Sequence, residues 1–209
     1  MKKPSLRLAA LAALSLVALA PVASVSAQER GLLPPLKLKA GDPYTFCLTD
    51  ASQKALSKAR ITLGAVAPGT IVTDKGHRCM RATLKSGQIN TDLTGLEGEG
   101  TGGFTFSRDG HRAEFTHPRV ALHPDRTGSW TAEHRGKRIE MFTSAKAGAK
   151  LSLTKVSAEH LPMNLTAAGA AALADTFGTS PVQAGRPFFE GNSSFDVLHS
   201  VTSPLTGHR

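Results

Sequence analysis

The chain has 209 residues, 40% hydrophobic and only 5% aromatic, with a formal net charge of +9. That length supports one domain with a core of its own rather than two. The basic residues are scattered, with no arm or stripe, and a single Trp and a single Tyr leave little for base stacking, which argues against a nucleic-acid binder.

Residues 1–27 read as an export signal. Lys2, Lys3 and Arg7 form a positive n-region, Leu8 to Ala20 is apolar, and Val25-Ser26-Ala27 sets small residues before a cut between Ala27 and Gln28. The apolar run is short and soon meets Pro21, so cleavage is expected rather than retention as an anchor helix, which is the alternative. Removing this segment takes three basic residues and no acidic one, lowering the net charge from +9 to +6. A charge of that sign suits anionic partners: wall polymer, a membrane surface or a ligand carboxylate. No apolar span with a basic stop lies near the C-terminus, and the cut is not followed directly by a Cys that could be lipidated. The mature chain is therefore expected to be extracellular, without a transmembrane anchor.

Residues 28–42, with Pro34-Pro35 and Gly41, predict an extended lead-in. Tyr44 to Leu48 reads as a short strand. Thr49 is a good N-cap, Asp50 suits the positive end of a helix dipole, and Lys58 and Arg60 suit the negative end, predicting a helix over about 49–60. From Ile61 to Leu153, short apolar runs punctuated by Gly, Pro and Asp predict strands.

Two hairpins follow in register. Around Asp109-Gly110, Arg108 faces His111, Phe106 faces Ala113 and Phe104 faces Phe115, which puts Phe104, Phe106, Ala113 and Phe115 on one side. Around Arg135-Gly136, Ala132 faces Ile139, Trp130 faces Met141 and Glu133 faces Arg138. Faces that separate so cleanly predict an antiparallel β-sandwich.

At Leu165 the period changes. Thr166 caps an alanine-rich helix predicted to Phe177, with Gly178 at its C′ position. Leu173 and Phe177 share one face, and the alanines allow close approach to a sheet. Phe188 to Val197 supplies a last strand or two, giving one domain over 43–199 and a tail over 200–209. Leu48-Thr49-x-Ala51 with Ala55-Leu56 echoes Leu165-Thr166-x-Ala168 with Ala172-Leu173. Either a strand–helix–strand unit is used twice, or capped alanine helices simply look alike.

Cys47 and Cys79 read as one disulfide in an exported chain. It closes a loop of about 30 residues, worth roughly 3–4 kcal/mol by restricting the unfolded chain. The usual catalytic signatures, HExxH, GxSxG, CxxC and GxGxxG between strand and helix, are absent from the sequence. Gly98 to Gly103 lacks the Lys of a phosphate loop and reads as a flexible turn. Asp92, Glu97, Glu99 and Glu114 offer carboxylates without a sign of burial. His111 and His117 share strand parity with Phe115, His134 ends the Trp130 face, and His77 precedes Cys79 by two. Imidazoles on a sheet face can bind a metal or a haem iron; hairpin ends and loops also expose histidines to water. The lone Tyr44 can ligate ferric iron as a phenolate, or sit half-buried with a wet hydroxyl.

The set Thr101-Gly102-Gly103-Phe104-Thr105-Phe106, His117-Pro118-Arg119-Val120, Trp130-Thr131-Ala132, Lys137-Arg138-Ile139-Glu140-Met141-Phe142, Leu165-Thr166-Ala167-Ala168-Gly169-Ala170-Ala171-Ala172-Leu173 and Ala184-Gly185-Arg186-Pro187-Phe188 resembles HtaA-type domains. These are secreted or wall-associated domains of Gram-positive bacteria; uncharacterised exported actinobacterial proteins look similar. The likeness spans roughly 48–197. It implies a sandwich with two helices, and haem held by an axial tyrosine with a histidine nearby. The family's N-terminal Trp and Ser-Phe-x-x-Tyr pattern has no counterpart in Gly41-Asp42-Pro43-Tyr44-Thr45-Phe46-Cys47, so the axial role does not transfer to Tyr44 on motif grounds. The reading that results is a secreted, non-enzymatic binding domain with haem as the implied ligand and Tyr44, His111 and His117 as candidate contacts. Its alternative is a cell-envelope module that adheres to anionic wall polymer through a basic surface. A hydrolase assembled from dispersed residues is the third.

Overall fold

The structure, a computed structural model, describes residues 34–92, 95–147, 150–152 and 154–198. The signal segment with its cut between Ala27 and Gln28, and the tail over 200–209, lie outside the described residues. In chain order the elements are β1 (Leu36–Leu38), β2 (Pro43–Leu48), α1 (Asp50–Lys58), β3 (Thr62–Val66), β4 (Thr70–Asp74), β5 (His77–Ile89), β6 (Leu96–Gly100), β7 (Gly103–Arg108), β8 (His111–Leu122), β9 (Gly128–His134), β10 (Lys137–Ser144), β11 (Lys150–Ser152), β12 (Lys155–Leu165), α2 (Ala167–Phe177) and β13 (Pro187–Leu198).

The expected β-sandwich is corrected to a closed antiparallel barrel. Eight staves run β13-β2-β5-β6-β8-β9-β10-β12 and return to β13. Closure comes from the last strand: Phe189 pairs with Leu48 of β2 on one edge and with Met163 of β12 on the other. The chain's two ends thus satisfy each other's edge hydrogen bonds, which open sheets leave exposed. β1 lies between β13 and β5, in line with β2. Outside the ring, β4 lies on β5, β7 on β8, β3 on β7, and β11 on β12.

Local chemistry produces both helices as the sequence predicts. The Thr49 hydroxyl accepts from the Ser52 N–H at 3.2 Å, and the Thr166 hydroxyl from the Gly169 N–H at 2.9 Å. Gly178 closes α2 at φ 82°. The Ser52 hydroxyl also donates to the Phe188 carbonyl at 2.6 Å, tying α1 to β13. A Cβ on Gly169 would lie 2.7 Å from the Met141 carbonyl oxygen, so α2 rests on the β10 backbone at a distance only glycine permits.

The first hairpin keeps its expected register from Arg108↔His111 to Phe104↔Phe115. The second keeps Ala132↔Ile139 and the Arg138–Glu133 ion pair at 2.8 Å, but Trp130 faces Phe142 rather than Met141. A bulge between Glu140 and Phe142 causes the slip.

The core is a phenylalanine cluster. Phe104 stacks on Phe115 at 5.1 Å, and Phe188 meets Phe189 edge-on at 5.0 Å. Leu56 of α1 and Leu173 and Phe177 of α2 join the same buried cluster. Cys47 and Cys79 are directly opposed on β2 and β5, and the disulfide read from the sequence joins them.

Candidate functional site: the glycine-lined half of the barrel

The two halves of the barrel interior differ in side-chain size. On β2, Tyr44, Phe46 and Leu48 alternate inward, opposite Ser193, Gly191 and Phe189 of β13. Near Leu48 and Phe189, aromatic rings fill the space. Near Tyr44, the facing positions are small: Gly98 and Gly100 on β6, Ala158 on β12, Gly191 and Ser193 on β13. Larger apolar residues, among them Leu84, Val120, Trp130, Val156 and Phe195, close the walls. The void between them offers about 70 Å³ to the centres of water-sized molecules, several times what one water needs.

Tyr44 is 6% exposed, and its hydroxyl has no hydrogen-bond partner among the described residues. Gly100 faces that hydroxyl, and a Cβ there would overlap it. Burial pushes the phenol well above its ordinary value, because the phenolate would lose its hydration, so Tyr44 stays protonated. Arg119 stands at the rim, exposed, with its guanidinium 3.4 Å from Glu99. The Lys85 ammonium hydrogen-bonds Glu99 at 2.7 Å and, with the charge of Arg119, holds that carboxyl below its usual range.

The histidines singled out by sequence do not converge on Tyr44. His111 is exposed at the β7–β8 turn. His117 adopts φ 49° at a break in the β8–β9 register between Thr116 and Arg119. The break overturns its shared parity with Phe115: Pro118 lines the cavity, while the His117 ring is exposed and meets Glu133 at 3.2 Å. Arg138 fixes the bulge by donating to the His117 carbonyl at 3.0 Å. A second left-handed histidine, His160 at φ 52°, was not singled out by sequence; it pairs with Glu190 where β12 shifts between Ala158 and Leu161. His134 stacks on Phe115 at 4.7 Å.

The Gly98–Gly103 stretch is also corrected. Gly98 and Gly100 are strand residues of β6, and only Thr101 and Gly102 turn the chain. Their strand position signals a close approach, here of Tyr44 to the wall. Glu99 is committed to Lys85 and Arg119, and Glu114 pairs with Arg112 at 2.8 Å, so those two carboxylates serve surface ion pairs.

A haem does not fit this cavity. The lining contains no histidine, and Gly100 and the apolar walls enclose the hydroxyl of the sole tyrosine too closely for a porphyrin plate. Among the described residues no group of three or more His, Cys, Asp or Glu could hold a metal ion. None of their helices is long and apolar enough to cross a membrane.

No protein-family model matches the chain, and no curated protein sequence does either. A solved structure does match: the C-terminal domain of HtaA from Corynebacterium glutamicum, with a TM-score of 0.57 over 78% of this chain and 99% of that one, at 14% identity. A likeness at that identity is one of fold.

Proposed function

We propose that this chain is an exported, non-enzymatic binding domain that takes a small, mainly apolar ligand into the glycine-lined half of its barrel. The observation that carries the reading is the void itself. Small inward residues on three adjoining or facing staves leave open a space that the opposite half of the same barrel fills with phenylalanines. Eight-stranded barrels are just wide enough to be packed solid or to hold one small ligand, and these inward residues favour the second. The Cys47–Cys79 bridge suits an extracellular setting.

Trp130 is the only tryptophan and lines the cavity, so its fluorescence reports on this site alone. Titration with small neutral apolar compounds should shift its emission saturably. Gly191→Ala is the matching variant: a Cβ there meets Met163 Sδ at 3.4 Å and Phe46 at 3.6 Å, ordinary contacts, so the methyl narrows the cavity without disturbing the wall. That variant should fold normally and bind more weakly. Haemin should give no Soret band that depends on Tyr44. A Trp130 signal indifferent to every neutral compound would refute the reading.

A further inference from the structure

We infer that what enters this cavity is the unsubstituted end of an aliphatic chain, an alkyl tail whose polar head stays in water at the rim. The inference rests on the reading of the cavity as a binding site. It adds the class of ligand, an aliphatic amphiphile, and the end by which that ligand enters.

Three observations carry it. The first is that the interior offers a polar head no adequate partner. The Tyr44 hydroxyl is packed against Gly100 and closed to any ligand atom. The Asn192 amide oxygen accepts the His160 N–H at 2.9 Å, and Asn192 alternates along β13 with the inward Gly191 and Ser193. Ser193 leaves one hydroxyl on the wall, too little for a carboxylate or ammonium, because an ion taken from water without a counter-charge is very costly. The second is where charge does stand. Arg119, the one charged residue of the lining, is exposed, so charge belongs to the rim. There Arg119 and Lys85 share the single carboxylate of Glu99, and that trio carries one positive charge in excess. The third is size. The void has room for about five methylene-sized groups, at the ~10–15 Å³ of centre space that one water-sized group needs. That is the end of a chain, and Gly98, Ala158 and Gly191 give it bare walls. Each methylene moved from water into such surroundings tightens binding by about fourfold.

The test is a ladder of unbranched alkanoates from butanoate to octanoate. Cyclopentane serves as a neutral hydrocarbon, and adipate as the counterpart of hexanoate with a carboxylate at both ends. Binding to the full chain is followed by the Trp130 indole resonance, in wild type and in Gly191→Ala. Affinity should rise by about threefold to fourfold per added methylene up to about hexanoate and then level off. Adipate should bind at least about tenfold more weakly than hexanoate, since its tail would carry a charge inside. In Gly191→Ala the added methyl takes one chain position, so the ladder should level off one carbon earlier. A flat ladder, adipate equal to hexanoate, or a levelling point that Gly191→Ala does not move overturns the inference; the cavity reading then stands if cyclopentane still shifts Trp130 saturably. Failure of cyclopentane and of every alkanoate to move Trp130 in wild type sinks the cavity reading and the inference together. Near-ultraviolet circular dichroism confirms that the variant retains the wild-type fold.

Discussion

Tyr44 buries one hydroxyl that has no hydrogen-bond partner among the described residues. An unpaired buried hydroxyl destabilises the protein that contains it, so Tyr44→Phe should raise the unfolding free energy of the ligand-free chain by about 1–3 kcal/mol. Urea denaturation checks this; a loss of stability would mean the hydroxyl has a partner in the fold. The same phenol carries a pH signature. Its ordinary value is 10.0 and burial raises it, so the folded chain holds the proton more tightly than the unfolded one. The associated stability is fully present below pH 10 and falls as the medium becomes more alkaline, by up to about 1.4 kcal/mol per pH unit. Wild type should lose stability above pH 10 more steeply than Tyr44→Phe does. Tyr44 stands out in the sequence as the only tyrosine. Its surroundings do not, because Gly100 and Ser193 reach it from strands far along the chain.

The helices and the strand bulges respond to sequence in opposite ways. Thr49 and Thr166 are legible as caps because a cap needs only residues within one turn. The bulges at His117 and His160 are not, since nothing local requires a histidine to adopt positive φ. They follow from ladder register, with Glu133 and Glu190 on the neighbouring strands as partners. This is why parity places His117 beside Phe115 on paper while the chain turns it out. Gly169 shows two effects opposed within one element. Replacing it by Ala would gain about 1 kcal/mol of helix propensity. The added Cβ would also press on the Met141 carbonyl at 2.7 Å, and such overpacking costs about 1–3 kcal/mol. Gly169→Ala should therefore destabilise on balance, seen as a lower Tm, despite the usual preference of helices for alanine.

For the molecule as a whole, the disulfide and the ring closure act on different states. Cys47 and Cys79 already face each other across a β ladder, so the bridge adds little to native pairing and mainly restricts the unfolded chain over a separation of 32 residues. The double substitution Cys47→Ala/Cys79→Ala should cost about 3–4 kcal/mol in unfolding free energy, with the near-ultraviolet circular dichroism of the folded form retained. Closure by β13 instead defines the native architecture, because it makes an interior with two ends where a sandwich would have two layers.

What sequence alone determined was local: the capped helices, the Asp109-Gly110 register, the β character of the middle of the chain and the partnership of its two cysteines. Each depends on residues close in sequence, or on a class of residue present only twice. The tertiary structure decided the rest. Whether the sheet closes depends on Phe189 finding both Leu48 and Met163. Whether the interior is filled depends on which glycines, from β6 and β13, meet around one phenol. Both are consequences of long-range register, and a cavity is a property of what several distant strands leave out.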